Sequence, residues 1–110
     1  MRILHLALAR DWDDARRAGA YEMSTRGLSL ADVGFVHAAT PEQLPGVAAR
    51  FYADVTEPLV LLVLDVDALE AAGSPVRWER APGSAGPEVF PHVYGPVPAA
   101  AVVAVRRVRP

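Results

Sequence analysis

Three side chains in this 110-residue chain draw attention first: His5, His37 and His92, its only histidines. Each sits inside an apolar run, "RILHLAL", "GFVHAA" and "EVFPHVYGPV". A single imidazole in such a run is ordinarily a core residue that has found a hydrogen-bond partner. Three in three separate runs suggest one shared cleft, joined by Thr40, Glu79, Glu88 and Tyr94. Such a set has three chemical uses. The imidazoles would ligate zinc or iron and leave a position open for water, although no local spacing marks a ligand motif. They would serve as acid and base near neutral pH, with Glu79 or Glu88 setting the tautomer. Or they would act as neutral donors and acceptors for a polar ligand's hydroxyls, beside aromatic stacking faces.

The elements that must position these groups follow from pattern. "RILHLAL" alternates as a strand and leads into "ARDWDDARRAG", a short helix with Asp11 as cap and Gly19 closing it. "YEMSTRGLSLADV" has no sustained period and is expected to be a long loop. "GFVHAA" is a second strand, followed by "TPEQ", a helix start with Thr40 as cap, Pro41 in the first turn and Gln43 reaching back. Leu44, Val47, Ala48 and Phe51 then recur at helical spacing, and Pro45 should distort the first turns. "PLVLLVLD" is apolar without alternation, the pattern of a central strand covered on both faces. "DALEAAG" is a helical turn and "VRWER" a strand; "VFPHVYG", broken by Pro91, belongs at a sheet edge or bulge. "AVVAVRRV" is the last strand. Trp12, Phe51 and Trp78 are expected in the core, while Tyr21 and Tyr52 fit either core or site. The sum is one α+β domain over 1–110: a mixed or antiparallel sheet of about six strands with two short helices.

Composition bounds the function. A net charge of −2 provides no basic field for a phosphate backbone, so nucleic acid is not an expected partner. All 11 positive charges are arginine, a bias that lowers the weight of any single one. With no cysteine there are neither disulfides nor thiolate ligands. The opening apolar run is too short for a membrane span or a signal peptide, and a cytoplasmic location is the expectation.

Five segments in order, "ILHLALARDW", "GFVHAATPEQLPGVAARFY", "LVLLVLDVDAL", "VRWE" and "VFPHVYGPVPAAAVVAVR", resemble a small bacterial family, domain of unknown function 952. The resemblance covers nearly the whole chain, and its two histidine segments are specific when found together. It implies a fold similar to ADP-ribosyltransferases, which bind NAD in the cleft of a split sheet. Matched by position, His5 would take the ribose and His37 would line the cleft. The late catalytic role would fall to Glu79, Glu88 or His92; the residues themselves add His37 as a further catalytic candidate and Thr40 and Tyr94 as candidates for substrate contact. The chain departs from that group in having no obvious pyrophosphate-binding arginine on its first strand and no late Glu-x-Glu. NAD would then be a substrate, not a resident cofactor, and the expected partner is a nucleotide-like small molecule. Two other classes stay open: a metal-dependent hydrolase or lyase using the three histidines, and a non-catalytic binding module.

Overall fold

The computed structural model describes residues 1–108. Strand β1 (Arg2–Leu8) runs into helix α1 (Ala9–Ala18), and the chain then makes three short strands, β2 (Ala20–Tyr21), β3 (Met23–Thr25) and β4 (Leu28–Ser29). Helix α2 (Leu30–Val33), strand β5 (Val36–His37) and helix α3 (Leu44–Phe51) follow. The second half carries β6 (Leu59–Asp65), α4 (Val66–Ala71), β7 (Val76–Arg80), β8 (Val89–Val93), β9 (Val97–Pro98), a 3-10 turn at Ala99–Ala101, and β10 (Val102–Val108). The α+β class holds. Four α-helices stand where two were expected, and every strand pairing among the described residues is antiparallel.

Six strands form two three-stranded sheets, β1-β6-β10 and β5-β8-β7. A single backbone pair joins them: Leu4 and Ala39 exchange two N–H···O bonds of 2.8 Å each. Beyond that pair β1 and β5 part, because β5 is only two residues long. As its apolar run implies, β6 is a central strand, flanked by β1 and β10. Its Leu62 and Leu64 pack into the main core with Ile3, Ala7, Val36 and Val93, while Leu59 meets Leu6, Leu8 and Tyr52 on the opposite face.

Several local expectations change. The segment expected to be one long loop holds β2, β3, β4 and α2. A reciprocal capping box drives the last of these, with Ser29 Oγ accepting from Asp32 N–H and the Asp32 carboxylate accepting from Ser29 N–H. Asp11 does not cap α1, which begins directly at the end of β1, where Ala9 N–H donates to Pro58 O. Thr40 and Gln43 exchange the expected reciprocal bonds, at 3.1 and 3.2 Å, but they close a turn and regular helix begins at Leu44. Phe51 and Trp78 are 49% and 41% exposed, not core, whereas Trp12, Tyr21 and Tyr52 are buried.

The correction that matters most for the site concerns β8. Despite Pro91 it is the middle strand of its sheet. Pro91 O accepts from Ala38 N–H, so its missing donor falls on the β5 side, beyond the end of that strand, and the ladder to β7 stays intact. Alternation then directs Val93 into the main core and His92 to the other face. Just past β8, Gly95 sits at φ 155°, and a Cβ there would lie 2.5 Å from Ser74 Oγ. That hydroxyl already donates to Pro96 O. Val93→Asp is therefore expected to abolish cooperative folding, since it buries an unpaired charge at a cost of several kcal/mol, comparable to a small domain's whole stability. A folded Val93→Asp variant with a wild-type circular dichroism melt would contradict this packing.

Candidate functional site

The register of β7, β8 and β5 assembles one polar cluster. His37 pairs directly across from His92, and His92 across from Arg77 on the other side. Glu79, two residues on from Arg77, shares their face. His92 is only 1% exposed. Its Nδ1 lies 2.9 Å from Glu79 Oε1, and the Tyr94 hydroxyl donates to the same oxygen at 2.5 Å. These two bonds, Tyr94's first, hold the Glu79 carboxyl below the usual carboxylate range. An ionised carboxylate only accepts, so the Nδ1 of a neutral His92 carries the hydrogen and its Nε2 the lone pair. Bonding to Glu79 also keeps Tyr94 a phenol, with the Arg77 guanidinium 4.8 Å over its ring.

Phe35 roofs the cluster. Its ring stacks on His92 at 4.0 Å and meets the edge of His37 at 4.9 Å. His37 and His92 are themselves 5.4 Å apart and nearly perpendicular. Burial, and after it the neighbouring His92, lowers the pKa of His37, which is therefore neutral at pH 7.

A cavity of about 480 Å³ opens on the same face, where β1 and β5 diverge under α3. Its floor is apolar, with Leu4, Leu6, Leu44, Val47 and Phe90, and its polar groups include His37, Gln43, Glu88 and Arg50. Gln43 Nε2 donates to Val89 O at 2.7 Å and reaches Glu88 Oε2 at 3.3 Å, which braces the loop before α3 against the start of β8. Tyr52 donates from behind to Leu6 O. The size and the mix of apolar floor with a few polar groups are those of a small-molecule pocket.

His5 stands apart from the other two histidines. Ile3 and Ala7, its neighbours by alternation, belong to the main core, whereas His37 and Leu4 point to the opposite side of the sheet. His5 touches the border of the cavity, but both its nitrogens are engaged: Nδ1 donates to His37 O, and Nε2 accepts from the Tyr21 hydroxyl at 2.9 Å. Three histidines converging on one cleft is thus corrected to a pair, with the third clamping β1, β2 and β5. The same engagement removes geometric support for a three-histidine metal centre, and no cluster of three His, Asp or Glu side chains suited to a metal exists among the described residues.

Of the other candidates, Glu79 and Tyr94 join His92, Glu88 borders the cavity, and Thr40 is occupied in its turn. Two contributors escaped sequence reasoning, Phe35 and Arg77. Each lies two residues before a candidate on a strand face, so strict alternation around His37 and Glu79 was the signal that would have found them.

The chain belongs to a family described as protein of unknown function DUF952, which it matches over residues 6–105. It is similar to the crystal structure of protein CC0527 from Caulobacter crescentus, with 28% identity and a TM-score of 0.78 over 99% of this chain and 87% of that one. The solution structure of CC0527 gives a TM-score of 0.71 at 26% identity, over 94% and 81% of the two chains. No curated protein matches.

Buried His5 yields a pH prediction. Burial lowers its pKa from 6.5 to about 4, so between those values the unfolded chain binds a proton that the folded chain refuses. Stability is complete above pH 6.5 and falls as pH drops through the window, by about 3 kcal/mol at 1.36 kcal/mol per pKa unit. Urea melts from pH 7 to pH 4 should show this loss, and an NMR titration placing His5 near 6.5 in the folded protein would refute the clamp.

Proposed function

We propose that this protein binds a nucleotide- or sugar-bearing small molecule in the cleft where its sheet divides, with NAD and ADP-ribose as the first candidates. One observation carries this reading: an apolar cavity sits at the division of the sheet, with a neutral, uncommitted imidazole, His37, in its wall. A neutral imidazole both donates and accepts, which suits a vicinal diol. The apolar floor, with Phe90 and the exposed Phe51 at hand, suits a planar base.

Two antiparallel three-stranded sheets meeting at one backbone pair also support an ADP-ribosyltransferase-like arrangement, though activity must be argued from the site and not from the fold. Within this reading His37 takes the ligand contact. His5, with both nitrogens committed, supports His37 through its backbone carbonyl instead of holding a ribose. Glu88, Gln43 and Arg50 edge the entrance. A transferase or hydrolase acting on the glycosidic bond of NAD is the activity this cleft would serve, with Glu79 and His92 behind His37.

Calorimetry and thermal shifts with NAD, ADP-ribose and AMP test the proposal. A ligand at about 100 times its Kd stabilises the folded state by about 2.7 kcal/mol, which raises the Tm of a domain this size by several degrees. The expected result is such a shift with at least one of the three, and an affinity reduced about tenfold or more in His37→Ala, the loss of roughly one charge-free hydrogen bond. No shift with any of them at millimolar concentration would overturn it.

A further inference from the structure

His92 holds a feature that ligand binding leaves unexplained. Its Nε2 is buried and has no hydrogen-bond partner among the described residues. An unpaired buried polar atom costs about 1–3 kcal/mol, and folded proteins keep few without a reason. The other nitrogen is fixed on Glu79, so this atom is an oriented lone pair behind His37, in a pocket that Phe35 screens from water. On its cavity side, His37 has neither ring nitrogen hydrogen-bonded among the described residues. Glu79, at the far end, has a side chain 39% exposed. From the cavity outward the order is therefore His37, His92 and Glu79: His92 and Glu79 are hydrogen-bonded, while the His37 and His92 rings stand 5.4 Å apart with no hydrogen bond between them among the described residues.

We infer that His37 and His92 form a proton relay that makes the cleft catalytic. His37 takes a proton from a water or ligand hydroxyl in the cavity and, by turning its ring, delivers it to the free lone pair of His92 Nε2, while the Nδ1 proton passes onto the half-exposed Glu79 carboxylate and from there to solvent. The substrate rests on the ligand reading above. With NAD bound, the oxygen of water forms a bond to C1′ of the ribose as the C1′–N bond breaks. That bond's electron pair neutralises the nicotinamide nitrogen, and the proton lost by water goes to His37. Atoms and charge balance as NAD and water giving ADP-ribose, nicotinamide and a proton. Glu79 and Tyr94 are positioning residues: the carboxylate selects the His92 tautomer, and the phenol keeps that carboxylate ionised at rest, so that it orients the imidazole and holds its proton only in transit to solvent. The other charged or titratable groups nearby are Arg77, which lies over Tyr94, and His5, whose two nitrogens bond the His37 carbonyl and the Tyr21 hydroxyl.

Two measurements on the full-length chain test the relay. Long-range proton–nitrogen NMR should show His92 as the Nδ1–H tautomer, with Nε2 carrying the lone pair. Nicotinamide release from NAD should exceed that of buffer and fall at least tenfold in His37→Ala, His92→Ala and Glu79→Gln, with part of the rate recovered in Glu79→Asp. Circular dichroism melts would confirm that each variant is folded. His92 found as the Nε2–H tautomer would overturn the relay, whether or not NAD binds. NAD that binds without turnover would overturn its catalytic role while leaving the ligand reading intact. If NAD does not bind, the ligand reading fails and the relay is decided by the His92 tautomer alone.

Discussion

The structure depends on one place where a sheet nearly fails to close. Leu4 and Ala39 exchange two backbone hydrogen bonds, and nothing else in the ladder ties β1 to the strand that contains His37. Had β5 been as long as β1, the six strands would form a continuous sheet with no room between its halves. Because β5 stops after two residues, the halves separate, α3 covers the gap, and a cavity remains. The His5 clamp reinforces that junction from the core side, bonding the His37 carbonyl and the Tyr21 hydroxyl together. A buried imidazole is useful here because its two nitrogens join an acceptor and a donor on different strands, which no aliphatic residue does.

From that junction the site follows by alternation. Val36, Ala38 and Val93 fill the main core, so His37 and His92 must face the other way. The antiparallel register sets Glu79 within reach of both His92 and Tyr94. Pro91 and Gly95 belong to the same logic. The proline gives up a donor only where β5 has already ended, and the glycine lets the chain pass close to Ser74 while Tyr94 N–H bonds Pro75 O. Tyr94 is thereby held beyond the end of the strand with its hydroxyl on Glu79.

Much of this was legible in the sequence, for reasons that can be named. The unbroken apolar run of β6 marked a strand between two others, and the period of two placed His92 and Tyr94 together with Val93 opposed. What escaped was non-local. Pro91 pointed to an edge because a missing donor ordinarily requires one; only the short length of β5 makes a middle strand tolerable. The three histidines looked alike in one dimension, and the face on which His5 falls is set by the pairing of Leu4 with Ala39, thirty-five residues away in sequence. Trp78 was expected to be buried because it is large and apolar. It lies instead opposite Pro91 at the edge of the second sheet, on a face left partly uncovered. The strands β2, β3 and β4 are two or three residues long, too short to show a period at all.

The most direct test is a crystal structure of the chain with ADP-ribose soaked or co-crystallised. Density is expected in the cavity between β1 and α3, with a ribose hydroxyl about 2.6–3.2 Å from a ring nitrogen of His37, the range of a working hydrogen bond. His92 should keep its bond to Glu79, and His5 both of its partners. Ligand seated elsewhere, or seated in the cavity while His37 turns away from it, would contradict the central claim.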